Sequence, residues 1–515
     1  MHYRELFEPN DTQYYQLLQR FLRAPGQQLA ISTVMVDLDW TKYKATKAFT
    51  TLNNDLAVIG GDQPAFLDEY DHGVWHANHV STLTLQQLGL LYLQRSSLMP
   101  VFEYHFFYSQ RMTKTDYMEA THFANSVFYA AEKKITKQIA TLETPQSAPL
   151  ITDAEHSIRL QLFQLYYAAY NGLAAPFAEL DDQLTQVVAA LASVCQTHWQ
   201  PTQVDKLKIF LAIWLLRIKD QHPINTQLLA HLAIARRPEG FVEAITAHVG
   251  DWVTPTETEL DYLYSFMVIQ QFIPEPDLSQ LVDVHSVPLA FQLTADLLQE
   301  LTATQLLKDG VVLADTGIEP LLFNLNLQLA TFYIEPTTFI AADQIGFFQD
   351  LYPEFDLLIS HFLQRLQDHG LNLTQARLVN LYFSYMFVFI QALRPELLRL
   401  QVTVTVDFSQ GPLYTDYIAQ SLTTFHNANL VVDHHLSEHT DLYLSDAYAQ
   451  AVRADQVIWQ NPPTPSDWAA LADQLVALKQ AKSTTAFLAT HANMPIAPNA
   501  SQTPTAINLT PEMGQ

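Results

Sequence analysis

From Asp153 to about residue 395, apolar side chains return every third or fourth position and hardly ever alternate. A stripe with a 3.6-residue period is buried only against other helices, so nearly half of this chain is committed to helical bundles. The segments Asp153–Tyr167, Lys206–Lys219, Pro320–Leu329 and Tyr352–His361 carry the pattern most clearly. A chain of 515 residues is too long for one core, and only 14 glycines interrupt it, so several domains with a helical bias are expected. The bundle region divides into two similar halves, 150–295 and 296–397.

Beyond the bundles the period changes. Val402–Asp407 alternates as a strand, breaks at Ser409-Gln-Gly-Pro412 and resumes helical spacing as far as Leu422. Further strands are expected at Ala428–Asp433 and Asp441–Asp446, and a helix at Trp468–Lys479. Strands alternating with helices predict a small α/β domain over 398–482 with a mostly parallel sheet. Residues 483–515, rich in Thr, Ala, Asn and Pro, read as a flexible tail. A strand–loop–helix junction is a common phosphate cradle. Phosphoryl transfer from such a loop, however, needs a thiolate or another activated nucleophile. The single cysteine is Cys195, and Asp407 would repel an incoming phosphoryl group.

The first 145 residues have a different outline. Apolar spacing around Tyr14–Phe21, a break at Ala24-Pro25-Gly26, a short apolar segment Ile31–Val36 and a helix from Lys42 precede Phe66-Leu67 and Val74-Trp75, which can pair as a hairpin. That is the outline of a winged helix-turn-helix over 1–80, and a second helix-turn-helix fits 81–145. Charge is asymmetric. The net −26 argues against nucleic acid at first sight, yet residues 1–150 hold 12 Lys+Arg against 15 Asp+Glu (net −3), while 151–400 hold 12 against 28 (net −16). An N-terminal nucleic-acid module on an acidic body is compatible with that distribution. Its candidate contacts are Lys42, Tyr43, Lys44, Thr46 and Lys47 in the first unit, and Asn125, Ser126, Tyr129, Lys133, Lys134 and Lys137 in the second. The lysines would meet phosphates, and the polar side chains would approach backbone or base edges.

In this order the parts resemble the Mga/AtxA family of transcription regulators. The residues that carry the likeness are Leu93-Gln94-Arg95-Ser96 with Ser126–Tyr129, Glu155–Arg159, Phe210–Lys219, Tyr352-Pro-Glu354, and Phe408–Tyr414 with Leu444-Ser445-Asp446. The resemblance implies DNA-binding domains joined to two phosphotransferase-system regulation domains (PRDs) and a dimerising EIIB-like domain. It also implies double-stranded DNA, a homodimer partner and phosphotransferase-system phosphocarrier proteins as partners, with no reaction catalysed and no cofactor. Two departures stand out. Ala130 and Ala131 follow Tyr129 where the family pattern is basic, and Phe210 and Gln328 occupy the places of regulatory histidines. His222, His285 and His361 remain as phosphorylation candidates.

No apolar leader follows Met1, and the longest uncharged apolar run, Leu378–Leu393, is short for a membrane span; a cytoplasmic protein is expected. The histidine groups His72/His76/His79 and His434/His435/His439 have spacings zinc accepts, but each lies in a predicted loop or wing, so no metal site is assigned. The rival to a DNA-binding regulator is an interaction module of the same architecture that no longer binds DNA.

Overall fold

The computed structural model describes residues 2–143, 153–224, 237–274, 277–334, 342–369, 373–423 and 429–491. The chain is mostly helical, with one small antiparallel and one small parallel sheet. It forms two compact units, Met1–Glu275 with Thr331–Ile334, and Pro276–Ala330 with Glu335–Gln515.

The first unit begins with α1 (Pro9–Arg23), β1 (Gln28–Ala30), α2 (Ile31–Asp37), α3 (Lys42–Ile59), the hairpin β2 (Phe66–Asp71) and β3 (Val74–Asn78), and α4 (Thr82–Arg95). Thr41 caps α3 by accepting the Lys44 N–H, and Gly60, at φ 69°, ends it in a conformation side chains rarely adopt. The hairpin is antiparallel, with Leu67 opposite Ala77, and β1 adds to its β3 edge. Asn53 of α3 exchanges two 2.7 Å hydrogen bonds with the Leu67 backbone and so fixes the hairpin to the helix.

The sequence places α4 in the second helix-turn-helix; in the fold it packs on α1, α3 and the helix Ala154–Tyr170. Arg95 at its end donates to both oxygens of Asp11 on α1 and of Asp55 on α3, and Tyr92 donates to Asp55 at 2.9 Å. Both carboxylates are buried, so the guanidinium, itself 36% exposed, joins three helices and is the partner of both acids. The second lysine-bearing unit therefore consists of α5 (Leu98–Phe107), α6 (Lys114–Ala120) and α7 (Asn125–Glu143).

A bundle follows in the same unit: α8 (Ala154–Tyr170), α9 (Asp181–Val194), α10 (Pro201–Lys219), α11 (Phe241–Val249) and α12 (Glu257–Ile269). Its core is aromatic. Phe210 is stacked face to face on Phe266 with ring centroids 3.4 Å apart, and Tyr166 and Phe163 are buried beside them.

The second unit opens with α13 (Pro288–Ala303), so the boundary expected at residue 295 falls inside a helix. α13 packs on α15 (Ile318–Ala330), which follows the one-turn α14 (Leu313–Thr316). Asn326 links this pair to α18 (Gln375–Ala392), donating to Thr294 at 2.9 Å and accepting from Tyr385 at 2.7 Å. α16 (Ile345–Leu351) and α17 (Pro353–Asp368) complete the bundle.

The α/β segment has β4 (Val402–Asp407), α19 (Pro412–Leu422), β5 (Leu430–Asp433), β6 (Leu442–Ser445), β7 (Asp455–Ile458) and α20 (Pro465–His491). The sheet is wholly parallel in the order β5-β4-β6-β7. The fourth strand escaped the sequence because Asp-Gln-Val-Ile is too short to alternate. α20 also runs past Lys479, into the segment expected to be a flexible tail. Leu471 and Leu475 join the sheet core, while Lys479 forms a buried ion pair with Glu354 of α17 at 3.2 Å and Ser483 is buried. Two packing partners extend the helix at least to His491; the rest of the expected tail lies outside the described residues. Among those residues no helix is long and apolar enough to cross a membrane.

Replacing Arg95 with Met leaves two buried carboxylates facing each other. Urea denaturation is expected to show a loss of about 3 kcal/mol; a loss below about 1 kcal/mol would mean that the triad does not hold the helices together.

Candidate nucleic-acid interface

α3 buries Ala45, Ala48, Phe49, Leu52 and Leu56, and this leaves Lys42, Tyr43, Lys44, Thr46 and Lys47 all exposed on its first two turns. Tyr43 is 78% exposed. The Lys44 ammonium lies 4.9 Å from the centre of the buried Trp40 ring, and Thr46 returns its hydroxyl to the Lys42 carbonyl. Among the described residues no carboxylate pairs with Lys42, Lys44 or Lys47. Three ammonium groups at a helix N-terminus, where the dipole adds positive potential, form a local field opposite in sign to that of the chain as a whole.

α7 repeats the arrangement. Phe128, Ala131, Ile135 and Ile139 face inward, and Asn125, Ser126, Tyr129, Lys133, Lys134 and Lys137 are exposed. Of the two alanines that interrupt the expected basic run, Ala131 is core, so no basic side chain would fit there; Ala130 is exposed. Lys134 approaches Glu8 at 3.5 Å. Glu132, the acidic residue among these lysines, is taken up by Lys114 at 2.6 Å. The six lysines of the two helices are about half of the chain's 13.

The hairpin beside α3 is different. Asp68, Glu69 and Asp71 accept hydrogen bonds from Asn78, the Gly73 N–H and the His72 N–H, and no Lys or Arg lies between Phe66 and Asn78. Its charge repels phosphate, so the helices rather than the hairpin carry any favourable contact. These acids are plain in the sequence, Asp68-Glu69-Tyr70-Asp71, and stand against a phosphate-binding wing.

A buried charge chain joins α7's unit to the bundle. Glu259 accepts from Arg159 at 2.7 and 2.9 Å, from the Trp214 indole at 2.9 Å and from the Ile224 N–H at 2.9 Å. Arg159 and Arg217 share Glu155, and Arg217 also donates to the Phe106 carbonyl on α5. The fully buried Asp220 accepts from the Gln110 N–H at 3.1 Å and faces His222 Nε2 at 3.2 Å.

The three candidate phosphorylation sites have separate surroundings. His222 is half-buried against Asp220, His285 is exposed in the turn before α13, and His361 on α17 pairs with the buried Glu300. Phe210 is sealed in the core and Gln328 is half-buried on α15. In the loop after β4, the Ser409 N–H (3.0 Å) and hydroxyl both donate to Asp446. Those bonds hold the Asp446 carboxyl below its usual range. The loop thus holds the chain's own carboxylate on its Ser409 N–H and hydroxyl. Among the described residues no group of three or more His, Cys, Asp or Glu side chains could hold a metal ion.

Neither a protein-family model nor a curated protein sequence matches the chain.

Two groups near the junction titrate abnormally. Burial lowers His156 from 6.5 to about 4; its ring lies between the Tyr262 hydroxyl and the Thr331 carbonyl. Burial raises Glu103 on α5 from 4.5 to about 7, helped by nearby Glu179 and opposed by the Tyr166 hydroxyl. Below pH 6.5 the unfolded chain gains a proton at position 156 that the folded chain refuses, so this histidine lowers stability as the pH falls towards 4. Glu103 acts in the opposite sense: the folded chain keeps its proton, and stability from this group is lost as the pH rises from 4.5 through 7. Glu103→Gln is therefore expected to stabilise the chain more at pH 8 than at pH 5 in urea denaturation. An equal effect at both pH values would refute the assignment.

Proposed function

We propose that this chain is a DNA-binding transcription regulator of the Mga/AtxA type. In this reading α1–α4 with the hairpin form a winged helix-turn-helix, and α5–α7 form a second helix-turn-helix. The two bundles are PRD-like, and the C-terminal sheet domain is EIIB-like. The observation that carries the proposal is the placement of six lysines on the exposed faces of two helices in a chain whose net charge is −26. Lys42, Lys44, Lys47, Lys133, Lys134 and Lys137 neutralise phosphates of double-stranded DNA, while Tyr43, Thr46, Asn125, Ser126 and Tyr129 approach sugar and base edges. No arginine stands on either exposed face, so sequence discrimination comes from these polar groups and DNA shape more than from bidentate guanine contacts.

The protein acts in the cytoplasm without catalysing a reaction, and phosphocarrier proteins of the phosphotransferase system reach it at His222, His285 or His361. A phosphoryl group on His222 Nε2 would sit against the buried Asp220 and disturb its bond to Gln110. Homodimerisation uses the EIIB-like domain, where α19 exposes Leu413 and Tyr417 and edge strand β5 exposes Val431. The acidic hairpin supports a second reading, an interaction module of this architecture without DNA binding.

Fluorescence anisotropy on duplex DNA across salt concentrations separates the two. Binding should weaken as salt rises, with a slope of about −0.9 per phosphate contacted. Lys44→Ala with Lys47→Ala, or Lys133→Ala with Lys137→Ala, should each reduce that slope by about 2. No binding at low salt by the folded chain selects the interaction module. Sedimentation at micromolar concentration should give a dimer that Leu413→Glu with Tyr417→Glu converts to a monomer; a monomeric starting protein overturns the dimer.

A further inference from the structure

A cavity of about 200 Å³ opens in the first bundle between the 172–177 loop, α9 and α10. It is smaller than the roughly 300–1,000 Å³ of pockets for drug-sized molecules, so it has room for a small molecule only. The floor is apolar, formed by Phe177, Leu184, Ile209 and Ala212. Three charged side chains line it, and their bonding is unequal. The Lys208 ammonium is consumed, paired with Asp181 and donating to the Thr185 hydroxyl at 3.0 Å. Asp205 makes no hydrogen bond or ion pair among the described residues. A Cβ at position 172 would lie 3.1 Å from Asp205 Oδ2, and Gly172, at φ +76°, avoids that contact.

The lining thus carries one negative charge in excess, on the carboxylate that lacks a partner. A partly enclosed carboxylate beside apolar walls favours a ligand that brings a compensating cation and an apolar body. A carboxylate or phosphate ligand would meet two acids and an ammonium already engaged. We propose that this cavity binds a small monocationic amine, with its ammonium on Asp205 and its hydrocarbon part on Phe177 and Ile209. Phe177 also meets the Phe107 ring edge-on at 5.5 Å and Tyr166 at 4.9 Å. An occupant resting on Phe177 is therefore one ring away from Phe107, the last residue of α5.

The test uses isothermal titration of the full chain with n-butylamine, and with n-butanol and butyrate as probes of equal length and different charge. It needs no DNA, so its failure is distinct from failure of the regulator reading. Saturable binding of n-butylamine alone is expected, weakened about tenfold in Asp205→Asn, where a charge-assisted bond becomes a neutral one. Lys208→Met releases Asp181 as a second free carboxylate and should tighten the amine. Equal binding of the three probes, no amine binding, or an amine affinity indifferent to both substitutions would each overturn the proposal.

Discussion

Three buried charges, Arg217, Arg159 and Glu259, and the partly buried Glu155 between the two arginines run through the first unit as an alternating chain. Each is tolerable only because the next is present; removing any one leaves an uncompensated charge in a medium that cannot solvate it. Their reach explains why so much depends on them. They fasten α8, α10 and α12 together, and through the Phe106 carbonyl they extend to α5. Apolar burial supplies most of the folding free energy here, but it is indifferent to small slides of one helix on another. The charge chain admits one register.

Asp220 adds a second fastening beside the first, to the Gln110 N–H in the loop after α5. The bundle and the lysine-bearing helices beyond it are therefore joined by hydrogen bonds to main-chain groups as well as by side-chain packing. Main-chain partners cannot change rotamer, so these bonds fix the end of α10 against the backbone at the end of α5.

Much of this arrangement was legible in the sequence. The helical period, the hairpin and the first three parallel strands were all readable from local chemistry. So were the outward lysines, because Ala48, Phe49 and Ile135 fix the inner faces. Pairings between helices far apart in the chain were not readable, since they depend on partners distant in sequence. α4 belongs with α1 and α3 because Arg95 finds Asp11 and Asp55, 84 and 40 residues away. α20 persists past Lys479 because Glu354 lies far upstream. The candidate site shows the same division: exposure of Lys42 or Lys133 follows from periodicity, whereas the pairing of Lys114 with Glu132, or the open carboxylate of Asp205, requires the folded chain.

The loop after β4 also bears on what the C-terminal domain can sense. A dissolved anion occupies its site only in proportion to its concentration, but the Asp446 carboxylate is tethered beside Ser409 at a fixed, high effective concentration. Free phosphate or a phosphorylated metabolite would have to compete with a ligand that never diffuses away. The strand–loop–helix junction that could cradle a diffusing anion is thereby closed on the chain's own carboxylate. A loop already bonded to its own chain is a poor cradle for an anion and a better-held piece of surface.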